Sequence, residues 1–389
     1  MERVVIIGAG QGGFQAAASL RQEGFDGEIL LIGDEPGHPY QRPPLSKAYL
    51  KGGTVQALSL RPDSFFETHK IDLRMGCWVR AIDRANARVE IDGEQIAYDH
   101  LIIATGARNL RPQIAGLEHA VGLRTLHDAS AIKASLVNGV RVGVIGGGFI
   151  GLEFAAVARE LGHSVTVAEA APRLMARAVS EPMSARFAEK HREMGTDILL
   201  SDGVAEIDAA GFTLASGRRI DSDLTLLAAG VVPNVELAKL AGLQVDNGIV
   251  VDEMLVTSDP VISALGDCAA FPDPVTGRSI RLESVQAATD HARMIAKRIA
   301  KGADTPYRAV PWFWSDQADW KLQIAGLAGP TDTAEELADG TVLRFCGSRI
   351  TAVETINNAK AHMTARKGMA SGVPLTRQQF NITPAEVLV

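Results

Sequence analysis

Two copies of the pattern G-x-G-x-x-G, each between a predicted strand and a predicted helix, constrain the fold more than any other feature of this sequence. The glycines of the first copy are Gly8, Gly10 and Gly13, and those of the second are Gly146, Gly148 and Gly151. Such a turn lets the backbone approach a pyrophosphate and points the N-terminus of a helix at the phosphates. Two copies therefore predict two bound dinucleotides, and we expect FAD in the first and NAD in the second.

The segments around both copies support this interpretation. The second copy lies between a strand predicted over 142–145 and a helix over 152–161, and a second strand over 164–168 ends at Glu169. An acid about 20 residues after the glycines binds ribose hydroxyls and repels a 2′-phosphate, so Glu169 favours NADH. Asp34 has the equivalent position after the first copy. The alternative is a glycine turn with a purely structural role.

Small residues follow other predicted buried strands, where they would let a cofactor come close. The residues in these positions are Thr105 and Gly106, Ala229 and Gly230, and Gly266 with Asp267. A carboxylate at Asp267 could bind a hydroxyl of a ribose or of the flavin side chain. Gly-Asp is also common in ordinary turns, which is the alternative there.

The loop 39–47 contains three prolines, and it predicts a rigid connection that orients Arg42 and Lys47. The alternative is that both are solvated surface residues. The predicted helix 284–301 carries Arg293 and Lys297 in its second half. Such cations commonly lie on a solvated face and complement the helix dipole, and the alternative is a docking patch for an acidic protein.

Composition narrows the function classes. A chain of 389 residues predicts two or three domains, and its net charge of −7 argues against nucleic acid as a partner. No apolar run approaches the roughly 18 residues of a membrane-spanning helix, so no membrane partner is expected. The cysteines Cys77, Cys268 and Cys346 are far apart, which predicts a cytoplasmic protein without dithiol catalysis or a disulfide framework. We predict no metal site.

Over essentially its whole length the sequence resembles the FAD-dependent ferredoxin reductases of bacterial Rieske oxygenase and cytochrome P450 systems, in the glutathione-reductase superfamily. The glycine motifs are generic to that superfamily, and the segments YQRPPLSK, ESVQ and PWFWSDQ are far more specific to this branch. The resemblance implies an α/β fold with two Rossmann-like domains. It places an FAD domain at 1–111 and 239–308, an NAD domain at 112–238, and a C-terminal α+β domain at 309–389.

The resemblance also implies an activity. The enzyme would carry electrons from NADH through FAD to a [2Fe–2S] ferredoxin, itself an acidic protein, which then feeds an oxygenase. Because both proteins would be acidic, we expect a local basic rim that includes Arg293 and Lys297. The oligomeric state, monomer or homodimer, stays open.

Roles for individual residues follow from the same resemblance. Lys47 is expected beside flavin N5 and paired with Glu153, and Trp314 against the flavin or nicotinamide. The other residues expected at FAD are Gly12, Asp34, Glu35, Arg42, Val79, Arg124, Asp267 and Val285. Those expected at NAD, besides the glycines and Glu169, are Phe149, Ile150, Arg177, Ala229 and Gly230.

Three alternative functions remain open. A rubredoxin reductase or an NADH oxidase would differ only in its electron acceptor, whereas a redox sensor similar to apoptosis-inducing factor would use its NADH complex as a signal. Relatives with a redox-active cysteine near the flavin carry it where this chain has Pro43-Pro44-Leu45-Ser46. Disulfide reductase and cysteine peroxidase activities are therefore disfavoured, and Cys268 is expected to be a small packed residue.

Overall fold

The computed structural model describes residues 1–380 and divides them into two units. Unit 1 contains Met1–Arg42, Thr54–Arg108 and Val231–Ala309. Unit 2 contains Pro43–Gly53, Asn109–Gly230 and the described residues from Val310 onward. The helices, in chain order, are α1 (Gln11–Gln22), α2 (Val55–Leu58), α3 (Asp63–Thr68), α4 (Leu126–Ser135), α5 (Phe149–Glu160), α6 (Glu181–Glu193), α7 (Glu236–Leu240), α8 (Val285–Lys301) and α9 (Ala359–Ala370). Short 3₁₀ turns cover Pro43–Ser46, Leu117–His119, Gly266–Cys268 and Arg377–Gln379.

A five-stranded parallel sheet forms the centre of unit 1. Its strands, from edge to edge, are Ile262–Ala264, His100–Ile103, Arg3–Ile7, Glu28–Gly33 and Ile71–Met75. The central strands are runs of Val, Ile and Leu because both faces of a parallel sheet are covered. Val4 and Ile6 point to one face of the sheet and Val5 to the other. All three are fully buried in the core of this unit.

Two smaller sheets complete unit 1. The first is an antiparallel meander of Val79–Asp83, Arg88–Ile91 and Glu94–Ala97. The second contains Val245–Asp246, Gly248–Val250, Ala269–Pro272 and Ser279–Ile280. Two further strands, Ala107–Asn109 and Val231–Pro233, lie where the chain changes from one unit to the other.

Unit 2 repeats the parallel architecture around the second glycine motif. Its five-stranded parallel sheet has the order Thr196–Leu200, Ser164–Glu169, Arg141–Ile145, Leu224–Leu227 and Val121–Gly122. An antiparallel sheet of Val204–Asp208, Gly211–Leu214 and Arg219–Asp221 follows. The C-terminal region adds a five-stranded antiparallel sheet in the order Trp312–Gln317, Trp320–Gly326, Arg349–Ile356, Val342–Cys346 and Thr333–Glu336.

The C-terminal sheet of unit 2 shares a hydrophobic core with α5 and α6. Leu152 of α5 and Phe187 of α6 belong to the same buried cluster as Leu322, Ile324 and Val342 of the sheet. This shared core explains why the predicted NAD domain and the predicted C-terminal domain lie in one unit. The bounds of the three predicted domains stay a prediction, and residues 381–389 of the third lie outside the described residues.

A buried ion pair within the C-terminal sheet also binds the start of α6 through one of its carboxylate oxygens. Glu354 accepts a hydrogen bond from Arg344 Nη1 at 3.0 Å, and its other oxygen accepts one from Ser180 Oγ at 2.6 Å. Ser180 is the N-cap of α6, where its Oγ also accepts from the backbone N–H of Met183. The Glu354 side chain is 1% exposed and that of Arg344 is 9% exposed, so each charge depends on the other.

The elements predicted from the sequence are confirmed with small shifts at their ends. The strand expected over 142–145 covers Arg141–Ile145, and the helix expected over 152–161 covers Phe149–Glu160. The helix expected over 284–301 covers Val285–Lys301. Helix ends commonly differ by a residue or two because they depend on capping rather than on periodicity. Within residues 1–380, no helix is both long and apolar enough to span a membrane.

We expect Glu354→Ala to lower the free energy of unfolding of unit 2 by about 3–5 kcal/mol, because it leaves Arg344 buried without its counter-ion. The measurement is urea denaturation followed by tryptophan fluorescence. As a control, Asp197→Ala removes the exposed partner of Arg218, which lies 3.1 Å away, and should leave the midpoint unchanged. Equal midpoints for the two variants would show that the buried pair contributes nothing specific.

Candidate functional site

The glycine turn of unit 1 has the steric features of a phosphate cradle. A Cβ on Gly13 would overlap the carbonyl oxygen of Gly8, and one on Gly8 would overlap that of Ala104. Both positions therefore require glycine. A Cβ on Gly10, in contrast, would meet no protein atom within 4 Å. Gly10 is the N-cap of α1, whose free N–H groups face that open space. The cradle therefore fits the pyrophosphate of a dinucleotide.

The acids that follow the second strand of unit 1 differ in their surroundings. Asp34 is exposed, whereas Glu35 accepts hydrogen bonds from Tyr40 Oη and Arg42 Nη2, both at 2.6 Å. Burial lowers the pKa of Arg42, but Tyr40 and Glu35 raise it more, so the guanidinium stays charged. These residues and Gly10 line one shallow cavity. The sequence analysis expected Gly10, Asp34, Glu35 and Arg42 at the FAD site, and the structure brings these four residues together with Tyr40, which was not expected there.

A second group of predicted FAD residues lies at the carboxyl ends of neighbouring strands. Thr105 Oγ1 donates to the carbonyl of Asn234 at 2.7 Å, and the Asn234 amide donates back to Thr105 O at 2.8 Å. Asp267 lies in the 3₁₀ turn Gly266–Cys268, next to the carboxyl end of the edge strand. Cys268 is fully buried, and burial raises the pKa of its thiol. The expectation that Cys268 is a packed residue is confirmed.

Other predicted FAD residues are placed more simply. Gly12 is buried against Leu265 and Ala288, Gly106 follows Thr105 at the end of its strand, Val79 is buried, and Val285 is the first residue of α8. Lys47, Arg124 and Trp314 were also expected at FAD, and they belong to unit 2. Arg124 lies before α4, where its backbone N–H donates to Asp128.

The glycine turn of unit 2 has the same design as the first. A Cβ on Gly151 would overlap Gly146 O, whereas one on Gly148 would meet nothing within 4 Å. Glu169 lies behind this turn, and its carboxylate accepts from the backbone N–H groups of Gly147 and Ala171, both at 2.7 Å. The structure thus places an open phosphate cradle and a fixed carboxylate side by side, as a nucleotide with a free ribose requires.

The remaining predicted NAD residues surround this cradle. Ile150 is exposed on the first turn of α5, and the Phe149 ring lies 4.5 Å from that of Phe313. Gly230 lies just beyond the strand Leu224–Leu227, and a Cβ there would come within 3.1 Å of Arg177 Nη2. Ala229 precedes Gly230 and is half-buried.

A buried carboxylate forms the second centre of unit 2. Glu153 on α5 is 3% exposed, and its Oε2 lies 2.6 Å from both Lys47 Nζ and Ser46 Oγ. Its Oε1 accepts from Ser315 Oγ at 2.7 Å. The predicted pairing of Lys47 with Glu153 is therefore present in the structure. An ammonium held by a buried carboxylate is a fixed positive charge, which can stabilise an anion that forms beside it.

The structure adds residues to this centre that the sequence analysis did not assign. Ser315 accepts from Gln317 Nε2 at 3.1 Å, and Gln317 Oε1 lies 2.9 Å from Nε2 of the buried His191. Burial lowers the pKa of His191. Ser46 and Ser315 lie inside YQRPPLSK and PWFWSDQ, so the two branch-specific segments were the available signal.

Aromatic and basic side chains complete the predicted set. The ring centre of Trp314 lies 5.6 Å from that of Trp312, and the guanidinium of Arg366 lies 4.4 Å from the ring centre of Trp312.

On α8 in unit 1, the predicted docking residues Arg293 and Lys297 are exposed. Their neighbours Arg298 and Lys301 bind Ser263 and Glu23, whereas Arg293 Nη1 lies 3.7 Å from Asp290 Oδ1, a longer contact.

Comparisons with known proteins agree with this geometry. A family model described as pyridine nucleotide-disulphide oxidoreductase matches residues 2–292, and one described as reductase C-terminal matches residues 312–383. The rhodocoxin reductase of Rhodococcus erythropolis is 50% identical over 97% of this chain and 91% of its own.

Solved structures give the same result. The ferredoxin reductase for the CYP199A2 system from Rhodopseudomonas palustris matches with a TM-score of 0.94 at 42% identity, covering 97% of this chain and 96% of its own. The covalent putidaredoxin reductase–putidaredoxin complex matches with a TM-score of 0.93 at 37% identity, covering 98% of this chain and 96% of the matched chain.

The two glycines of the unit 2 cradle are expected to respond differently to a methyl group. Gly148→Ala should unfold at the temperature of the unchanged protein, because its Cβ has free space, but should bind NAD at least about tenfold more weakly. Gly151→Ala should lower the unfolding temperature because its Cβ overlaps Gly146 O. Thermal denaturation and NAD titration measure the two effects, and unchanged NAD affinity in Gly148→Ala would contradict the cradle.

Proposed function

We propose that this chain, which belongs to the pyridine nucleotide-disulphide oxidoreductase family, carries electrons from NADH through FAD to a [2Fe–2S] ferredoxin that serves an oxygenase. The observation that carries the proposal is the duplicated phosphate cradle, open at Gly10 and again at Gly148. A single-dinucleotide dehydrogenase needs one such cradle, whereas a flavoprotein that oxidises NADH needs two. The similarity to named ferredoxin reductases supports the choice of acceptor.

FAD is assigned to the cradle of unit 1. The open space at Gly10 fits the pyrophosphate, and the neighbouring acids Asp34 and Glu35 can accept from ribose hydroxyls. Arg42 neutralises Glu35 and keeps a guanidinium at the same cavity. Asp267 supplies a further carboxylate for a cofactor hydroxyl. When bound, FAD supplies the chemistry that accepts a hydride and returns electrons one at a time.

NADH is assigned to the cradle of unit 2. Glu169 lies beside Gly147, and its fixed carboxylate would accept from the ribose hydroxyls of NADH. The 2′-phosphate of NADPH would bring a second anion to the same carboxylate, which costs binding energy. We therefore propose a preference for NADH. Arg177, beside Gly230, is the candidate cation for the pyrophosphate.

The Lys47–Glu153 pair is assigned to the hydride step. Glu153 fixes the ammonium of Lys47 at 2.6 Å, and Ser46 and Ser315 hold the carboxylate in place. A preorganised positive charge favours the reduced, anionic cofactor and costs no reorganisation during the reaction. Trp314 is the proposed planar neighbour of the reacting rings.

The proposed docking residues for the ferredoxin are Arg293 and Lys297. The chain carries a net charge of −7, so an acidic partner needs a local basic surface to approach it. Both side chains are exposed on the same face of α8, four residues apart. A cytoplasmic location is proposed with this function, because the free cysteines are typical of a reducing compartment.

Anaerobic stopped-flow tests the acceptor. We expect the NADH-reduced protein to reduce an oxidised [2Fe–2S] ferredoxin rapidly, with flavin reoxidation matched by bleaching of the iron–sulfur band. If the flavin stays reduced until a rubredoxin or oxygen is added, that molecule is the electron acceptor and the ferredoxin is not. Flavin that stays in an NAD complex even then would favour a redox sensor.

Charge reversal in the same experiment tests the docking surface. Arg293→Glu with Lys297→Glu should slow ferredoxin reduction at low salt by about tenfold or more and leave flavin reduction by NADH unchanged. The difference should shrink at high salt because the Debye length falls. An unchanged rate at low salt would mean that these residues form a solvated helix face.

Two lysines in the segment Pro43–Gly53 provide a matched pair for the hydride step. Lys47→Met should slow flavin reduction by NADH about 10- to 100-fold, because it removes the fixed charge and keeps the length of the side chain. Lys51 pairs with the exposed end of α5 through Glu160 at 2.8 Å, so Lys51→Met should leave the rate unchanged. Stopped-flow absorbance of the flavin measures both rates, and equal rates would remove Lys47 from the mechanism.

A further inference from the structure

His291 is a fully buried histidine in unit 1 that the proposed function does not use. It lies on α8, and its Nδ1 is 3.2 Å from the backbone N of Gly266. An amide N–H can only donate, so Nδ1 accepts and the ring proton lies on Nε2. The contact joins α8 to the first residue of the turn that carries Asp267.

We infer that His291 is a positioning residue for FAD, because its Nδ1 holds the turn Gly266–Cys268 in the conformation that presents Asp267 to the cofactor. The inference rests on the proposed assignment of Asp267 to FAD. Gly266 has a φ of +67°, a left-handed conformation that only a glycine adopts without strain. A turn of this kind needs its backbone groups held, since its sequence alone does not fix it.

Other side chains hold the same turn from different directions. Arg281 Nη1 donates to the carbonyl oxygen of Asp267 at 3.0 Å, and Cys268 Sγ contacts Leu265 O at 3.2 Å. The N–H of Gly266 is the part of the turn held by His291. With the backbone held on both sides of Asp267, its side chain loses little further freedom when it binds a ligand.

The surroundings keep the imidazole neutral, as an acceptor must be. The rings of Phe271 and Tyr307 lie 4.8 and 4.5 Å from it, both at 86° to its plane. Burial lowers the pKa of His291 to about 3. Its Nε2 has no hydrogen-bond partner within the described part of the chain, so the hydrogen bond of the imidazole there is the one to Gly266.

The same helix also supports the phosphate cradle. Ala288 lies one turn before His291 on α8, and a Cβ on Gly12 of α1 would lie 3.5 Å from its Cβ. Small residues at this contact allow α1 and α8 to approach closely. One face of α8 therefore supports the two elements assigned to FAD, the cradle through Ala288 and the Asp267 turn through His291.

Two substitutions separate the hydrogen bond from the packing. His291→Leu fills most of the space but provides no acceptor, whereas His291→Asn leaves a cavity and places Oδ1 where Nδ1 was. We expect His291→Leu to raise the FAD dissociation constant about tenfold and His291→Asn to keep it within about threefold, although His291→Asn has the lower unfolding temperature. The measurement is free-flavin fluorescence at equilibrium after dilution of each holoprotein, with thermal denaturation alongside.

Asp267→Ala provides the reference in the same dilution series. The inference requires Asp267→Ala to weaken FAD binding at least as much as His291→Leu does. An affinity loss that follows the loss of stability, larger in His291→Asn than in His291→Leu, would overturn the inference in favour of packing alone. If Asp267→Ala binds FAD as tightly as the protein without substitutions, the inference is also overturned. The proposed function would still stand in that case, because FAD is bound. A protein that binds no FAD would overturn both.

Discussion

The buried carboxylate of Glu153 is the interaction on which unit 2 depends. Its side chain is 3% exposed, and an ionised group at that depth is tolerated only with a counter-ion and hydrogen bonds. Lys47, Ser46 and Ser315 supply them from segments that are more than 100 residues distant in sequence from Glu153. With the contacts of Tyr49 to Ser130 and of Lys51 to Glu160, these bonds join the short segment Pro43–Gly53 to unit 2, although the chain on either side of it belongs to unit 1.

The two nucleotide cradles share one steric solution and differ in their electrostatics. In both, the third glycine of the motif packs against the carbonyl of the first, and the middle glycine faces open space. The acid beside the first cradle, Glu35, is neutralised by Arg42, whereas Glu169 beside the second accepts from the backbone N–H groups of Gly147 and Ala171. The two acids are therefore fixed by different means, Glu35 by a cation and Glu169 by the backbone of its own turn.

The sequence predicted the fold well because the signals for it are local. Strands such as Arg3–Ile7 are continuous apolar runs, and helices such as α5 begin at a glycine motif, so each can be recognised within a few residues. The candidate site was predicted less completely. The Lys47–Glu153 pair came from resemblance, and no local pattern could have shown that Ser315 reaches Glu153. His291 was missed for the same reason, since its hydrogen bond to Gly266 joins residues that share no motif.

The cysteines explain how a member of a disulphide oxidoreductase family can act without a disulfide. Within residues 1–380 all three cysteines are free, and Cys268 is buried with a raised thiol pKa, which disfavours the reactive thiolate. The family resemblance placed the redox cysteines of relatives at the turn Pro43–Ser46, which contains no cysteine in this chain, and Ser46 donates its hydroxyl hydrogen bond to Glu153. A thiol there could donate only weakly to the buried carboxylate. The turn Pro43–Ser46 thus contributes a strong hydroxyl donor to the carboxylate of the Lys47–Glu153 ion pair, which the buried charge of Glu153 requires.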